Sequence, residues 1–307
     1  MHNDMNQDKS SLRQQIDVVD RQIFDLIKKR LDIVRGVAEV KKEQGMPTND
    51  KRREREILTR VTDFLGDDLG EYGRALYRTM FDVSKLYEAQ LVCDSYPLYR
   101  HIQEQTSLPP QPFPRCATVA VMSSDSDTDS SNATIAAERL FEVPNIMPMQ
   151  NVDSLAKAVS QGLCRFGLLQ IEDSAKGTSA PIYDQLTAYN LSIVRSVRVT
   201  TDDRSSYARY ICVSRDAVIY PGADRTTIMM VIQNKPGSLF SVLSKLNVIG
   251  ANLLRLDSRP LASRDFEQGF YFDIESSIYG NKFTSMLCEL QDMSEEFHYF
   301  GTYSEII

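Results

Sequence analysis

Apolar positions recur along the first part of the chain with a helical rhythm. Over residues 12–42 they fall at Leu12, Ile16, Val19, Ile23, Leu26, Ile33, Val34 and Val37, mostly three or four apart. That spacing predicts one long helix buried along a single seam, and at ~1.5 Å per residue it would run roughly 45 Å. Two cations interrupt the seam. Advancing about 100° per residue, Arg30 falls at the angle of Leu12, Lys41 lies about 20° away, and Arg13 points about 100° off. Buried cations are costly unless they meet anions, and a bland seam would carry Leu at both places. Arg13 is set to reach the cavity of a partner rather than that of its own chain.

Gly45-Met-Pro47-Thr-Asn49 supplies a C-cap glycine, a proline and an N-cap candidate. A second helix follows over 50–65, with Ile57, Val61, Phe64 and Leu65 on its apolar face. Projected backwards, that face turns charged at Glu54, Arg53 and Asp50, next to the end of the first helix. Gly66-Asp-Asp68 breaks the chain before a third helix over 69–93, striped by Leu76, Met80, Tyr87 and Leu91. Ser84 sits on that stripe and Glu88 borders it. Three helices that each carry polar groups on a packed face are harder to dismiss than one.

Residues 96–114 are turn-rich and read as a linker. Beyond it, strands at 117–122, 165–171, 193–199 and 208–214 alternate with helices at 133–141, 152–162 and 183–189, with a polar loop at 123–132. That alternation implies an α/β lobe. From 226 the order is strand (226–232), helix (238–249), strands (252–258 and 269–275), helix (281–293), strand (299–304). This βαββαβ order is the ferredoxin-like split motif. The expected architecture is multidomain: an all-α domain at 1–104, an α/β lobe at 105–224 and an α+β ferredoxin-like domain at 225–307.

Composition narrows the function. A net charge of -7 and a pI near 5.2 argue against general nucleic-acid or anionic-membrane binding, so any bound anion must be held by local cations. No apolar run approaches ~18 residues, and the polar start MHNDMNQDKS reads as neither signal nor transit peptide. The five scattered cysteines lack a CxxC pair and fit free thiols in a reducing cytoplasm. Neither they nor the three isolated histidines suggest a metal site.

The polar set Arg13, Arg30, Lys41, Asp50, Arg53, Glu54, Ser84 and Glu88 resembles that of the all-helical chorismate mutases, in the form fused to prephenate dehydratase in bifunctional P-proteins. The matching text is LRQQIDVVDRQIFDLIKKR, VAEVKK, DKRRERE and the Ser84…Glu88 pair. The resemblance implies rearrangement of chorismate to prephenate in one pericyclic step, without nucleophile, metal or cofactor. Such an enzyme must fold a dianion into a chair-like conformer and stabilise charge growing on the ether oxygen. By resemblance, Arg30 and a partner's copy of Arg13 take the carboxylates with help from Ser84, and Lys41 reaches a carboxylate and the ether oxygen. Glu54, supported by Asp50, holds the ring hydroxyl, and Arg53 completes the wall. Where many P-proteins place Gln, this chain has Glu88, which can donate to the ether oxygen only when protonated.

The C-terminal text NKPGSLFSVL, GANLLRLDSRP and FGTYSEI resembles the ACT regulatory domain of prephenate dehydratases. It implies a phenylalanine site at a dimer interface, drawing on Asn234, Gly237, Ser238, Leu239, Asn252 and Ser258. In the middle, GLLQIEDSAKG resembles the dehydratase Glu-Asn-Ser stretch, with Asp173 in place of Asn. Ser206-Tyr-Ala-Arg-Tyr210 stands where the family has Thr-Arg-Phe, so Ala208 replaces the threonine credited with proton transfer. The expected glycine-rich loop is SSDSDTDSS, and the second lobe is skipped between Val199 and Arg204. The leading expectation is a cytoplasmic, homodimeric or larger chorismate mutase with an inactive dehydratase-like lobe and an ACT domain that senses an aromatic amino acid. A still-bifunctional mutase–dehydratase and a non-enzymatic amino-acid sensor are the alternatives.

Overall fold

The computed structural model describes residues 2–44, 50–122, 127–174, 177–178, 181–200, 206–260 and 268–307. The chain divides into two compact units, 1–96 and 97–307. The expected capping turn at 45–49, the start of the polar loop at 123–126 and the junction at 201–205 lie outside the described residues.

The first unit is helical. Helix α1 (His2–Gln44) is one continuous helix, as its seam predicts, and α2 (Lys51–Val92) carries both later helices. Within α2 the backbone leaves helical geometry at Gly66, where φ is 74°, a conformation that favours glycine. A Cβ placed on Gly73 would lie 2.2 Å from Leu65 Cδ1 and 2.8 Å from Val61 Cγ1. A straight helix would hold residues 61 and 73 roughly 18 Å apart. The arms 51–65 and 67–92 therefore fold back on each other, and they are the expected second and third helices.

One expectation changes. Ala38 of α1 is buried and Arg30, Val34 and Lys41 are partly covered. The N-terminal half of the seam is open, with Leu12 54%, Ile16 58%, Val19 50% and Leu26 65% exposed. The helix simply outruns the arms of α2 available to cover it within one chain.

In the second unit, β1 (Cys116–Met122), β2 (Val143–Met149), β3 (Phe166–Asp173), β4 (Gly177–Thr178), β5 (Ser192–Thr200) and β6 (Tyr207–Ser214) build the larger sheet with a strand from the C-terminus. That last strand, β11 (Glu305–Ile306), gives the order β11-β5-β6-β3-β1-β2, with β4 beside β3. Helices α4 (Asp127–Leu140), α5 (Val152–Ser160) and α6 (Pro181–Ala188) accompany it. Strand β2 was not expected. Pro144 and Pro148 weaken its strand signal, yet at the sheet edge a missing N–H is tolerated. Helix α4 also starts within the segment expected to be loop.

The smaller sheet has the order β10-β7-β9-β8, from β7 (Arg225–Val231), β8 (Asn252–Pro260), β9 (Gln268–Glu275) and β10 (Glu296–Tyr303). With α7 (Ser238–Ile249) and α8 (Asn281–Met293) it forms the expected split βαββαβ motif. Residues 97–107, expected as linker, instead form helix α3 (Pro97–Ser107). Proline is tolerated at a first helical position, Tyr99 and Ile102 are buried, and the Tyr99 hydroxyl donates to Asn281 Oδ1 of α8 at 3.1 Å. No helix among the described residues is long and apolar enough to cross a membrane.

Candidate active site

Helical spacing gathers charge at the covered end of α1. On α1, Leu26, Lys29, Arg30, Ile33, Val37 and Lys41 share a face; on the first arm of α2, Asp50, Arg53, Glu54 and Ile57 do; on the second arm, Phe81, Ser84, Lys85 and Glu88 do. The three faces line an open cavity of about 520 Å³, within the ~300–1,000 Å³ range of ligand pockets. Its walls carry five cations (Lys29, Arg30, Lys41, Arg53, Lys85) against three carboxylates (Asp50, Glu54, Glu88). The balance favours an anionic guest, in a chain whose net charge is -7.

Most of the polar groups have a definite neighbour. Arg30 donates through Nη1 to Ser84 Oγ, which donates on to the Met80 carbonyl at 2.6 Å, and its guanidinium lies 5.9 Å from the Phe81 ring centroid. Burial pulls Arg30 below its ordinary pKa, with Tyr77 opposing in part. Among the described residues no carboxylate pairs with it, so a bound carboxylate would meet a partly desolvated, unneutralised fork. Lys41 Nζ pairs with Glu88 Oε1 at 2.9 Å, and Lys85 Nζ with Glu54 Oε1 at 2.6 Å. Glu88 is thus an acceptor in this arrangement, whereas the sequence reading cast it as a donor. Asp50 caps α2 by accepting from the Arg53 backbone N–H at 3.0 Å, and that hydrogen bond holds its carboxyl below the usual value. The Arg53 side chain is turned toward Glu56, at 3.4 Å.

Seven of the eight expected residues line this cavity. Arg13 does not; it lies 17 residues before Arg30, about 25 Å along the helix. Lys85 and Lys29 were missed. For Lys85 the signal was present, because positions 81, 84, 85 and 88 follow the i, i+3, i+4, i+7 pattern of one helix face.

The second expected site is partly assembled. A cavity of about 120 Å³ is lined by Ile232, Gln233, Asn234, Lys235, Ser238, Leu239, Gln268 and Phe270. Gly237 caps α7 with φ 88°, and Ser258 pairs in register with Phe270. Asn252 sits six residues away along β8, roughly 20 Å at strand rise, where its Nδ2 donates to Glu275 Oε2 at 2.9 Å. The structure does not bring Asn252 to this cavity.

In the larger sheet, β5 and β6 are antiparallel neighbours with Thr200 paired to Tyr207. Only residues 201–206 lie between those partners, far too few for another lobe. Ala208 is buried on β6. Beside it Arg209 pairs with Asp273 of β9, and the Tyr207 hydroxyl donates to Glu172 at 2.6 Å.

Known proteins resemble this chain in different stretches. The sequence model of the family "Chorismate mutase type II" matches residues 12–89. A bifunctional chorismate mutase/prephenate dehydratase of Aquifex aeolicus is 19% identical, with 96% of this chain and 98% of the relative covered. That alignment runs over 355 positions while this chain has 307 residues, so at least 48 positions face gaps here. Among solved structures, the prephenate dehydratase of Streptococcus mutans covers 62% of this chain and 99% of itself, with TM-score 0.53 and 19% identity. A protein described as a novel type of quorum-quenching acylase covers 61% of this chain and 94% of itself, with TM-score 0.53 and 24% identity. The two likenesses establish the fold alone. The chain thus carries an N-terminal helical chorismate mutase region, followed by sheet domains like those of prephenate dehydratases.

Proposed function

We propose that this chain converts chorismate to prephenate, and that its three parts, 1–104, 105–224 and 225–307, are mutase, inactive dehydratase-like lobe and ACT domain. One observation carries the mutase reading: a cavity with two more cations than carboxylates, including an Arg30 that meets no carboxylate among the described residues, lies inside the segment matching the mutase family. Chorismate brings two carboxylates and a ring hydroxyl. Arg30 binds one carboxylate, with Ser84 fixing the guanidinium. Lys41 leaves Glu88 far enough to reach the second carboxylate and the ether oxygen, where negative charge grows in the transition state. Glu54 accepts from the ring hydroxyl. The rearrangement needs only positioning and electrostatic stabilisation, so no group on the enzyme is consumed and no cofactor enters.

The open half of the α1 seam supports a homodimer, with each chain's long helix covering its partner's and delivering Arg13 to its partner's cavity. The small sheet supports an effector site for phenylalanine. Its cavity of about 120 Å³ is below the ~300 Å³ at which ligand pockets begin, so a second chain completes it, with Asn252 among the residues supplied. A cytoplasmic setting fits the free cysteines and the soluble substrate.

The inactive-lobe reading rests on the β5–β6 hairpin, on Ala208 where a catalytic hydroxyl is expected, and on an Arg209 committed to Asp273. A bifunctional enzyme remains the second reading because the Aquifex aeolicus relative is similar over nearly the whole chain. Incubation with chorismate, followed by acid conversion of prephenate to phenylpyruvate, separates them. Prephenate before acid is expected; phenylpyruvate before acid favours the bifunctional enzyme, and no turnover refutes the mutase. The same assay with added phenylalanine tests regulation, which is refuted if rate and chorismate affinity are both unchanged.

A further inference from the structure

The two arms of α2 are joined across the cavity by a contact the mutase reading does not use. Lys85 Nζ lies 2.6 Å from Glu54 Oε1, and the two side chains are only 18% and 26% exposed. The other cavity charges are placed differently. Arg30 is held on Ser84, Lys41 is held on Glu88, and Arg53 is turned toward Glu56. The direct pair makes Lys85 the cation that holds Glu54.

We infer that Lys85 is a positioning residue that turns Glu54 into a preset acceptor for the substrate's ring hydroxyl, so that the pair selects cyclic dicarboxylates bearing that hydroxyl. This rests on the mutase reading above. An ionised glutamate offers about four lone-pair sites on two oxygens. Lys85 occupies one on Oε1 and leaves Oε2 to accept from the guest. Tied to Lys85, the Glu54 carboxylate is also kept from swinging onto Arg30 or Lys41, the cations a dicarboxylate needs. Such holding acts before the reaction begins, because the hydroxyl is a donor in substrate and transition state alike. Its loss is felt mainly as weaker binding.

The test uses the full chain and chorismate turnover. Lys85→Met keeps the length and removes the charge, and is expected to raise KM roughly tenfold, the size of one charge-assisted hydrogen bond weakened, with kcat within about twofold. Lys85→Arg restores a cation and most of the affinity. In a Glu54→Gln background the Met substitution adds little, since the residue it serves is already gone. A merely structural strap would lower the melting temperature without that coupling. If Lys85→Met does not fold, Lys85→Gln takes its place with the same expectation. A wild-type KM in the Met variant overturns the inference, as does a full loss that persists beside Glu54→Gln. Wild-type protein that makes no prephenate overturns the mutase reading and this inference together, an outcome distinct from either.

Discussion

Both units hold charged side chains away from water, and they balance them in opposite ways. In the sheet unit four guanidiniums meet four carboxylates. Arg209 pairs with Asp273 and lies 3.8 Å from Glu172, and Arg255 reaches Asp257 at 2.7 Å and Asp273 at 3.5 Å. Glu305 takes Arg225 at 3.0 Å and Arg198 at 3.3 Å. Burial lowers the pKa of Arg209, but Tyr303 and Asp273 more than offset it, so the group sits above its ordinary value. Each of these guanidiniums meets a carboxylate of the same chain, although Arg198 Nε, Arg209 Nε, Arg225 Nε and Arg255 Nη1 are buried without a hydrogen-bond partner among the described residues. In the cavity of the helical unit cations exceed carboxylates by two, and among the described residues the Arg30 guanidinium meets a hydroxyl and a ring face but no carboxylate. A network whose charges are paired ties elements together; one with surplus charge waits for a guest. Arg209 shows the difference well, because it stands where a dehydratase motif arginine is expected and yet serves as a strap between two sheets.

That contrast is broken most forcefully at Asp273. It is 3% exposed, pairs with the 4%-exposed Arg209 and accepts from the Thr227 hydroxyl at 2.7 Å. Asp273→Ala deprives a buried guanidinium of its nearest counterion, leaving Glu172 and Glu305 at 3.8 and 4.0 Å, and is expected to destabilise the second unit by roughly 3 kcal/mol, while mutase kcat at a permissive temperature stays near wild type. Denaturant titration followed by circular dichroism measures the first, chorismate turnover the second. A loss under about 1 kcal/mol would mean the network is no strap.

The opposite experiment removes charge from the helical cavity. Lys41→Ala is expected to cost about 3 kcal/mol of transition-state stabilisation, roughly 150-fold in rate, with little effect on the sheet unit. If Arg13 serves a partner's cavity, an equal mixture of Arg13→Ala and Lys41→Ala chains regains about a quarter of wild-type activity. Random exchange makes half the dimers mixed, and each mixed dimer holds one intact site of two. Verified exchange with no recovery would place both residues in one chain's site and end the shared-site reading.

What the sequence made legible follows the same physics. Arg30 and Lys41 could be found because a helix period converts residue number into angle, and a cation at a seam angle is conspicuous. The split βαββαβ motif was readable because its strands and helices alternate with clear turns. Strand β2 was not, since Pro144 and Pro148 erase a strand signal that only an edge position forgives. Helix α3 was hidden by its opening proline and the proline-rich stretch after it. Lys85 lay beside a chosen residue, Ser84, and its value depends on Glu54, an arm away in space and 31 positions away in sequence. The open seam of α1 was beyond any single chain, because period alone shows that a face is apolar and not whose side chains cover it.

The smallest expected effect is at Glu88, and it sharpens the charge comparison most finely. Its carboxylate lies 2.9 Å from Lys41 Nζ, so it offsets part of the field a dianionic substrate needs. Glu88→Gln keeps the size of the side chain, adds an N–H that can face the ether oxygen, and raises the cavity's cation excess from two to three. It also gives up the ion pair that holds Lys41 in place. Glu88 is buried while the Lys41 side chain stays 20% exposed, so removing the carboxylate leaves a cation that still reaches water, and the tether is worth little beside the gain in attraction. The net expectation is a fall in the chorismate KM of about threefold, some 0.7 kcal/mol, with kcat equal to or slightly above wild type. Steady-state kinetics at low ionic strength, where the charge effect is least screened, gives the cleanest reading. A KM raised tenfold instead would show that Lys41 depends on Glu88 for its position, and that the cavity works as a set of tethered pairs rather than as a surplus of positive charge.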